Sequence, residues 1–136
     1  MNKIIKVTRR ATFETAHRLH NPELSEAENK KIFGKCYNIH GHSYKLEVVI
    51  SNEIESKTGM GINFTQLKQI VKENVIDKVD HKYINDDVAE FAELIPTAEN
   101  MCVVFWQWLK DAMPDYANLE LIKLYETENN FVEYNG

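Results

Sequence analysis

A long run in which apolar and polar residues strictly alternate leaves the backbone close to one choice, the half-buried β-strand. This sequence contains two such runs, and they constrain it more than any other feature. In the first, Ile5, Val7, Arg9, Ala11 and Phe13 share one face, with Lys6, Thr8, Arg10, Thr12 and Glu14 on the other. In the second, His40, His42, Tyr44, Leu46, Val48 and Ile50 share a parity against Ser43, Lys45, Glu47 and Ser51. After a break at Gly59 and Gly61 the period changes. Leu67, Ile70, Val71, Val75 and Val79 recur at helical spacing, as do Met101, Val104, Phe105, Trp108 and Leu109. Thr97, just after Pro96, is the expected N-cap of the second helix, and Pro114 ends it. Two short strands are predicted over 119–126 and 131–134, joined through Glu128-Asn129-Asn130. Residues 18–35 are polar and read as a long loop with a helical turn near 25–30.

The predicted order, strand-strand-helix-helix-strand-strand, is that of an α+β domain: a four-stranded antiparallel sheet carrying two helices. At 136 residues the chain is expected to be one domain, 1–136. A small open sheet leaves edges exposed, and pairing them between subunits is one way to cover them. The 16 basic and 21 acidic residues give a net charge of −5, which argues against general nucleic-acid binding. The longest apolar run, Met101 to Trp106, is far short of the ~20 residues of a membrane span. No apolar leader follows the basic start, so a cytoplasmic location is expected. In that setting Cys36 and Cys102 read as free thiols.

The chemistry concentrates in Cys36-Tyr-Asn-Ile-His40-Gly-His42. Residues two apart on a strand project from the same face about 6.6 Å apart, so His40 and His42 can grip one metal ion. If the first two strands form a hairpin, His17 supplies a third imidazole. Three histidines with an open fourth position form a catalytic zinc pattern, whereas a bare HxH is as readily a pair of polar edge residues. Cys36, beside Lys35, is the candidate base, while Cys102 sits beside a helical apolar stripe and reads as core. Asp80 next to His81 forms a candidate proton shuttle at the end of the first long helix. Glu126 shares its parity with Glu120, Ile122 and Leu124; a carboxylate there can accept paired hydrogen bonds from the N–H edge of a heterocycle. Thr97 and Glu99 fit a helix cap and a first-turn acid.

Taken in order, Phe13-x-x-Ala16-His17-Arg18-Leu19, Gly34-Lys35-Cys36, His40-Gly41-His42-Ser43-Tyr44, Asp80-His81-Lys82, Pro96-Thr97-Ala98-Glu99-Asn100 and Tyr125-Glu126-Thr127 resemble the 6-pyruvoyl-tetrahydropterin / 6-carboxytetrahydropterin synthase family. The resemblance implies a tunnelling fold, ββααββ subunits whose sheets join into a barrel, commonly a hexamer of two trimers. It implies Zn2+ on His17, His40 and His42, with Cys36 as proton acceptor and Asp80 and His81 completing a relay. It also implies Glu126 as the pterin anchor, with the segment of Thr97 and Glu99 helping to line the pocket. The implied substrate is 7,8-dihydroneopterin triphosphate, with Lys35, Arg18 and Lys82 as candidate cations for its phosphates by proximity. Two product branches exist within the family. The short Cys-x-x-x-His spacing is similar to the branch that releases acetaldehyde and forms 6-carboxytetrahydropterin on the queuosine route, and that branch is the primary expectation. The Phe33-Gly-Lys-Cys36 and Tyr-Glu-Thr-Glu-Asn-Asn segments are similar to the 6-pyruvoyl, biopterin branch. A catalytically silent pterin binder and a zinc hydrolase using the same histidines are the remaining readings.

Overall fold

The two alternating runs become the two longest strands, β1 (Ile4–His17) and β2 (His40–Glu53), in the computed structural model, which describes residues 2–136. They pair antiparallel without interruption, from Ile4 opposite Glu53 to His17 opposite His40. The faces follow the alternation. Val7 and Phe13 of β1 and Tyr44, Leu46, Val48 and Ile50 of β2 are buried, while Lys6, Thr8, Arg10, Thr12 and Glu14 are exposed. On that open face Arg10 lies 3.3 Å from Glu47, and Ser43 Oγ donates to Glu14 at 2.6 Å.

Helices cover the apolar face. After α1 (Glu26–Phe33), the chain forms α2 (Phe64–Val71), which runs through a π turn (Lys72–Ile76) into a last helical turn, α3 (Asp77–Val79). The π turn has a physical reason in the sequence. Leu67, Val71, Val75 and Val79 are spaced by four, and each such step overshoots a full α-helical turn by about 40°. A wider turn cancels that drift and keeps all four buried. A short α4 (Ile84–Asp87) follows, then α5 (Ala98–Ala112), capped by the Thr97 hydroxyl, which accepts from Asn100 N–H at 3.1 Å. Met101, Phe105 and Leu109 of α5 are fully buried, and the Phe105 ring meets Phe13 edge-on at 5.9 Å. Among the described residues no helix is long and apolar enough to cross a membrane.

The sheet departs from the four antiparallel strands expected. Besides β4 (Asn118–Tyr125) and β5 (Phe131–Tyr134) it contains a two-residue β3 (Lys82–Tyr83), giving five strands in the order β3-β1-β2-β4-β5. β3 runs parallel to β1 at Thr15 and Ala16, so the sheet is mixed. Two residues carry no period to read. The polar 18–35 stretch also contains a full helix, α1, rather than a single turn, with Ser25 as its N-cap. A register shift between Val49 and Ile50 leaves Glu120 unpaired in the ladder, bonded instead to Ser51 Oγ. Glu120 therefore does not share the buried face of Ile122 and Leu124, contrary to simple parity. Among the described residues, the edge of β1 before Thr15 and the outer edge of β5 have no partner strand.

Phe105→Ala should cost about 3–5 kcal/mol by denaturant unfolding, because it opens a cavity beneath the sheet. Phe64→Ala, at a side chain 76% exposed, should stay within about 0.5 kcal/mol. Equal losses at the two sites would contradict this placement of the core.

Candidate functional site

The antiparallel register sets His17 opposite His40 and Thr15 opposite His42. All three imidazoles consequently stand on the helix-covered face at one end of the sheet. Their ring centres lie 4.6 Å (His17–His40), 5.4 Å (His17–His42) and 5.0 Å (His40–His42) apart. One ring nitrogen from each falls within 4.8 Å of the others. His17 Nδ1 is 2.7 Å from the Pro96 carbonyl, and His40 Nδ1 is 2.7 Å from the Asn38 carbonyl. A carbonyl only accepts, so both rings carry their proton on Nδ1 and keep the Nε2 lone pair. His42 Nε2 is buried without a hydrogen-bond partner, 3.4 Å from Glu126 Oε1 but out of line for a bond.

Burial is the main cause that holds His17 and His42 below the ordinary imidazole pKa, and the neighbouring His40 adds to it. The Pro96 carbonyl at His17 and the Glu126 carboxylate at both rings pull the other way. Neutral imidazole is the form that binds metal. Two oriented Nε2 lone pairs, an orphaned third ring nitrogen and backbone carbonyls fixing the tautomers are a donor set that fits a divalent ion such as zinc. Beneath the cluster the fully buried Tyr44 stacks on Phe13 at 5.1 Å and sets its hydroxyl 3.4 Å from His17 Nε2. Burial first, then the charges of Glu126 and Cys36, push the phenol well above its ordinary pKa, so it stays a proton donor.

Cys36 lies, half-buried, in a 3-10 turn (Gly34–Tyr37). Cys102 is buried in α5 with its thiol pushed up to about 12, the expected core thiol. Glu126 follows β4 directly, its N–H donating to Asn130 O at 3.1 Å across the turn to β5. The hydroxyl of Thr97 is taken by the helix cap and Glu99 is exposed in the first turn. The link from their segment to the cluster is the Pro96 carbonyl instead. A backbone oxygen leaves no mark in a sequence, so neither Pro96 nor Asn38 was legible there; Tyr44 was legible only as a core residue.

Asp80 and His81 meet β1 by its edge. Asp80 Oδ1 accepts from Glu14 N–H at 2.9 Å, Oδ2 lies 3.0 Å from His81 Nδ1, and His81 N–H donates to Glu14 O at 2.6 Å. His81 is held at φ 60°, an uncommon backbone for a residue with a side chain, and its ring is 78% exposed. The Glu14 N–H, with His81 adding, keeps the Asp80 carboxyl below its ordinary pKa. His81 borders a cleft of about 500 Å³ with Glu14, Gly41, His42, Ser43 and Lys82. By parity Glu14, Gly41 and Ser43 belong to the open face, opposite the imidazoles. A cavity of about 860 Å³ around Asn52, Glu53 and Tyr116 lies at the other end of β2 and contains none of these groups.

Residues 6–136 match the family model described as 6-pyruvoyl tetrahydropterin synthase. The chain is 46% identical to a 6-pyruvoyl tetrahydrobiopterin synthase of Dictyostelium discoideum, over 100% of this chain and 99% of that one. The structure of Caenorhabditis elegans 6-pyruvoyl tetrahydropterin synthase is similar with a TM-score of 0.92 and 36% identity, covering 98% of this chain and 96% of that one. A 6-carboxy-5,6,7,8-tetrahydropterin synthase of Haemophilus influenzae is 30% identical, over 96% of this chain and 99% of its own.

A carboxylate held below its unfolded pKa contributes stability above that value and loses it as pH falls through the folded one. Asp80→Asn should therefore lower Tm most near neutral pH, with the gap to the wild type closing below the ordinary aspartate value of 3.8. A constant gap down to pH ~2 would show that the Asp80 charge is not what its bonds stabilise.

Proposed function

The chain belongs to the 6-pyruvoyl tetrahydropterin synthase family, and from that membership we propose that it converts 7,8-dihydroneopterin triphosphate to 6-pyruvoyl-tetrahydropterin with release of inorganic triphosphate, residues 1–136 acting as one domain. The observation that carries this reading is the Glu126 carboxylate 3.4 Å from His42 Nε2, a carboxylate beside a three-imidazole cluster able to hold a metal. His17, His40 and His42 would hold zinc. Zinc on three imidazoles with an open position is a Lewis acid that eases proton loss from a hydroxyl-bearing side chain.

The rest belongs to the chain's own groups. Glu126 accepts the paired N–H donors of the pterin ring and fixes its orientation. The Cys36 thiolate takes a carbon-bound proton from the side chain. Asp80, kept ionised, accepts from His81 Nδ1–H, which leaves His81 Nε2 to carry protons. Thr97 and Glu99, at the N-terminal end of α5 beside the Pro96 carbonyl that meets His17, help line the substrate pocket. The strongly exposed His81 suits a site completed by a neighbouring copy. The unpaired edges of β1 and β5 suit a closed barrel of subunits, which the family resemblance makes a hexamer of two trimers.

The carboxy-forming activity, expected first from the sequence, becomes the second reading. The Haemophilus influenzae relative bearing that name is 30% identical, against 46% for the Dictyostelium discoideum 6-pyruvoyl relative. Only the short spacing from Cys36 to His40 favours it.

Incubation of the zinc-loaded protein with 7,8-dihydroneopterin triphosphate should yield a product of 6-pyruvoyl mass. Acetaldehyde with the 6-carboxy product would select the second reading, and absence of turnover a silent pterin binder. Cys36→Ala should lower kcat at least ~100-fold with zinc content unchanged. In His40→Ala/His42→Ala, zinc should be lost; stoichiometric retention would overturn the ligand assignment.

A further inference from the structure

The turn that carries Cys36 belongs to the long connection between β1 and β2, much of it exposed, yet it is tied to the end of β1 at two successive carbonyls. Leu19 N–H donates to the Cys36 carbonyl at 2.8 Å, and Arg18 Nε–H donates to the Tyr37 carbonyl at 2.7 Å. The Arg18 guanidinium also lies over the Tyr37 ring, 4.0 Å from its centre. Arg18 is in turn held from behind. Its N–H donates to Asn85 Oδ1 at 2.9 Å, and Asn85 Nδ2 donates to its carbonyl at 2.8 Å. The Asn85 amide thus exchanges both bonds with one backbone residue, as a paired strand would. It prolongs the short pairing of β3 with Thr15 and Ala16 up to the residue that follows His17.

We propose that Arg18 and Asn85 are positioning residues that fix the Cys36 thiol relative to the His17 imidazole; this rests on the reading of Cys36 as the proton acceptor. Asn85 locks the backbone directly after a metal ligand, and Arg18 and Leu19 carry that fixed point to the thiol's own turn. The path from His17 to Cys36 therefore runs through two hydrogen bonds rather than around the connection. Proton transfer tolerates little misplacement, so loosening this latch should slow the chemical step while leaving substrate affinity alone. The other role open to Arg18, gripping the triphosphate, gives the opposite kinetic split. Its Nε and the plane of its guanidinium are already engaged with Tyr37.

The test uses the zinc-loaded full-length protein, in Asn85→Ala and Arg18→Met, with iodoacetamide as the probe of Cys36. Cys102, buried with its thiol pushed up to about 12, should remain unlabelled as an internal reference. Both substitutions should speed Cys36 labelling about fivefold, since each removes bonds from the latch. Both should lower kcat about 10- to 100-fold, with KM within about twofold. Asn85→Asp, which keeps the acceptor for Arg18 N–H, should recover part of the loss. Unchanged labelling and kcat in both variants would overturn the latch, as would a raised KM with kcat intact. If Asn85→Ala fails to fold, Arg18→Met decides alone. Full turnover in Cys36→Ala would instead defeat the reading of Cys36 as base, and the labelling rates, which need no turnover, would still decide the latch.

Discussion

The pairing of β1 with β2 is the constraint on which the rest depends. Its register runs unbroken from Ile4 opposite Glu53 to His17 opposite His40. A slip of one residue would carry every side chain of a strand to the opposite face. Burial of Phe13, Tyr44, Leu46 and Val48 forbids that slip, because each would exchange the core for water. The imidazoles stand at the end of the same two strands, so the energy that packs the core also fixes which face they share. The imidazole cluster is in this sense a by-product of core packing, completed by two carbonyls that set the tautomers.

The imidazole cluster and the Asp80–His81 pair meet at one end of the sheet. The imidazoles and Glu126 occupy the helix-covered face, where burial favours the neutral form of His17 and His42. Asp80 and His81 are bound to the edge of β1 and border a cleft whose Glu14, Gly41 and Ser43 belong to the open face. Gly41 lies opposite Ala16, and two such small residues keep that cleft open. The same cleft also reaches His42, so the Asp80–His81 pair at the edge of β1 and the imidazole cluster border one opening at this end of the sheet.

How much was legible in the sequence follows from where the periods were strong. Alternation alone set His40 and His42 on one face, and a hairpin then brought in His17. The two helical stripes and the Thr97 cap also read directly. Helix α1 did not, because it has no apolar face. Its one buried residue is Asn29, whose amide bonds the carbonyls of Asn21, Leu24 and Ser25. Strand β3 is two residues long, and the ladder irregularity at Val49 and Ile50 broke the parity that would have grouped Glu120 with Ile122. The carbonyls of Pro96 and Asn38 and the clasp of Asn85 on Arg18 come from the folded backbone, which no residue pattern records.

The central claim is that three imidazoles hold the metal while Cys36 stays free to move a proton. X-ray absorption at the zinc edge of the loaded protein tests it most directly. The expected spectrum has only nitrogen and oxygen neighbours, with Zn–N near ~2.0–2.1 Å and no sulfur shell. A sulfur scatterer near ~2.3 Å would make Cys36 a fourth ligand, close the site and remove its base.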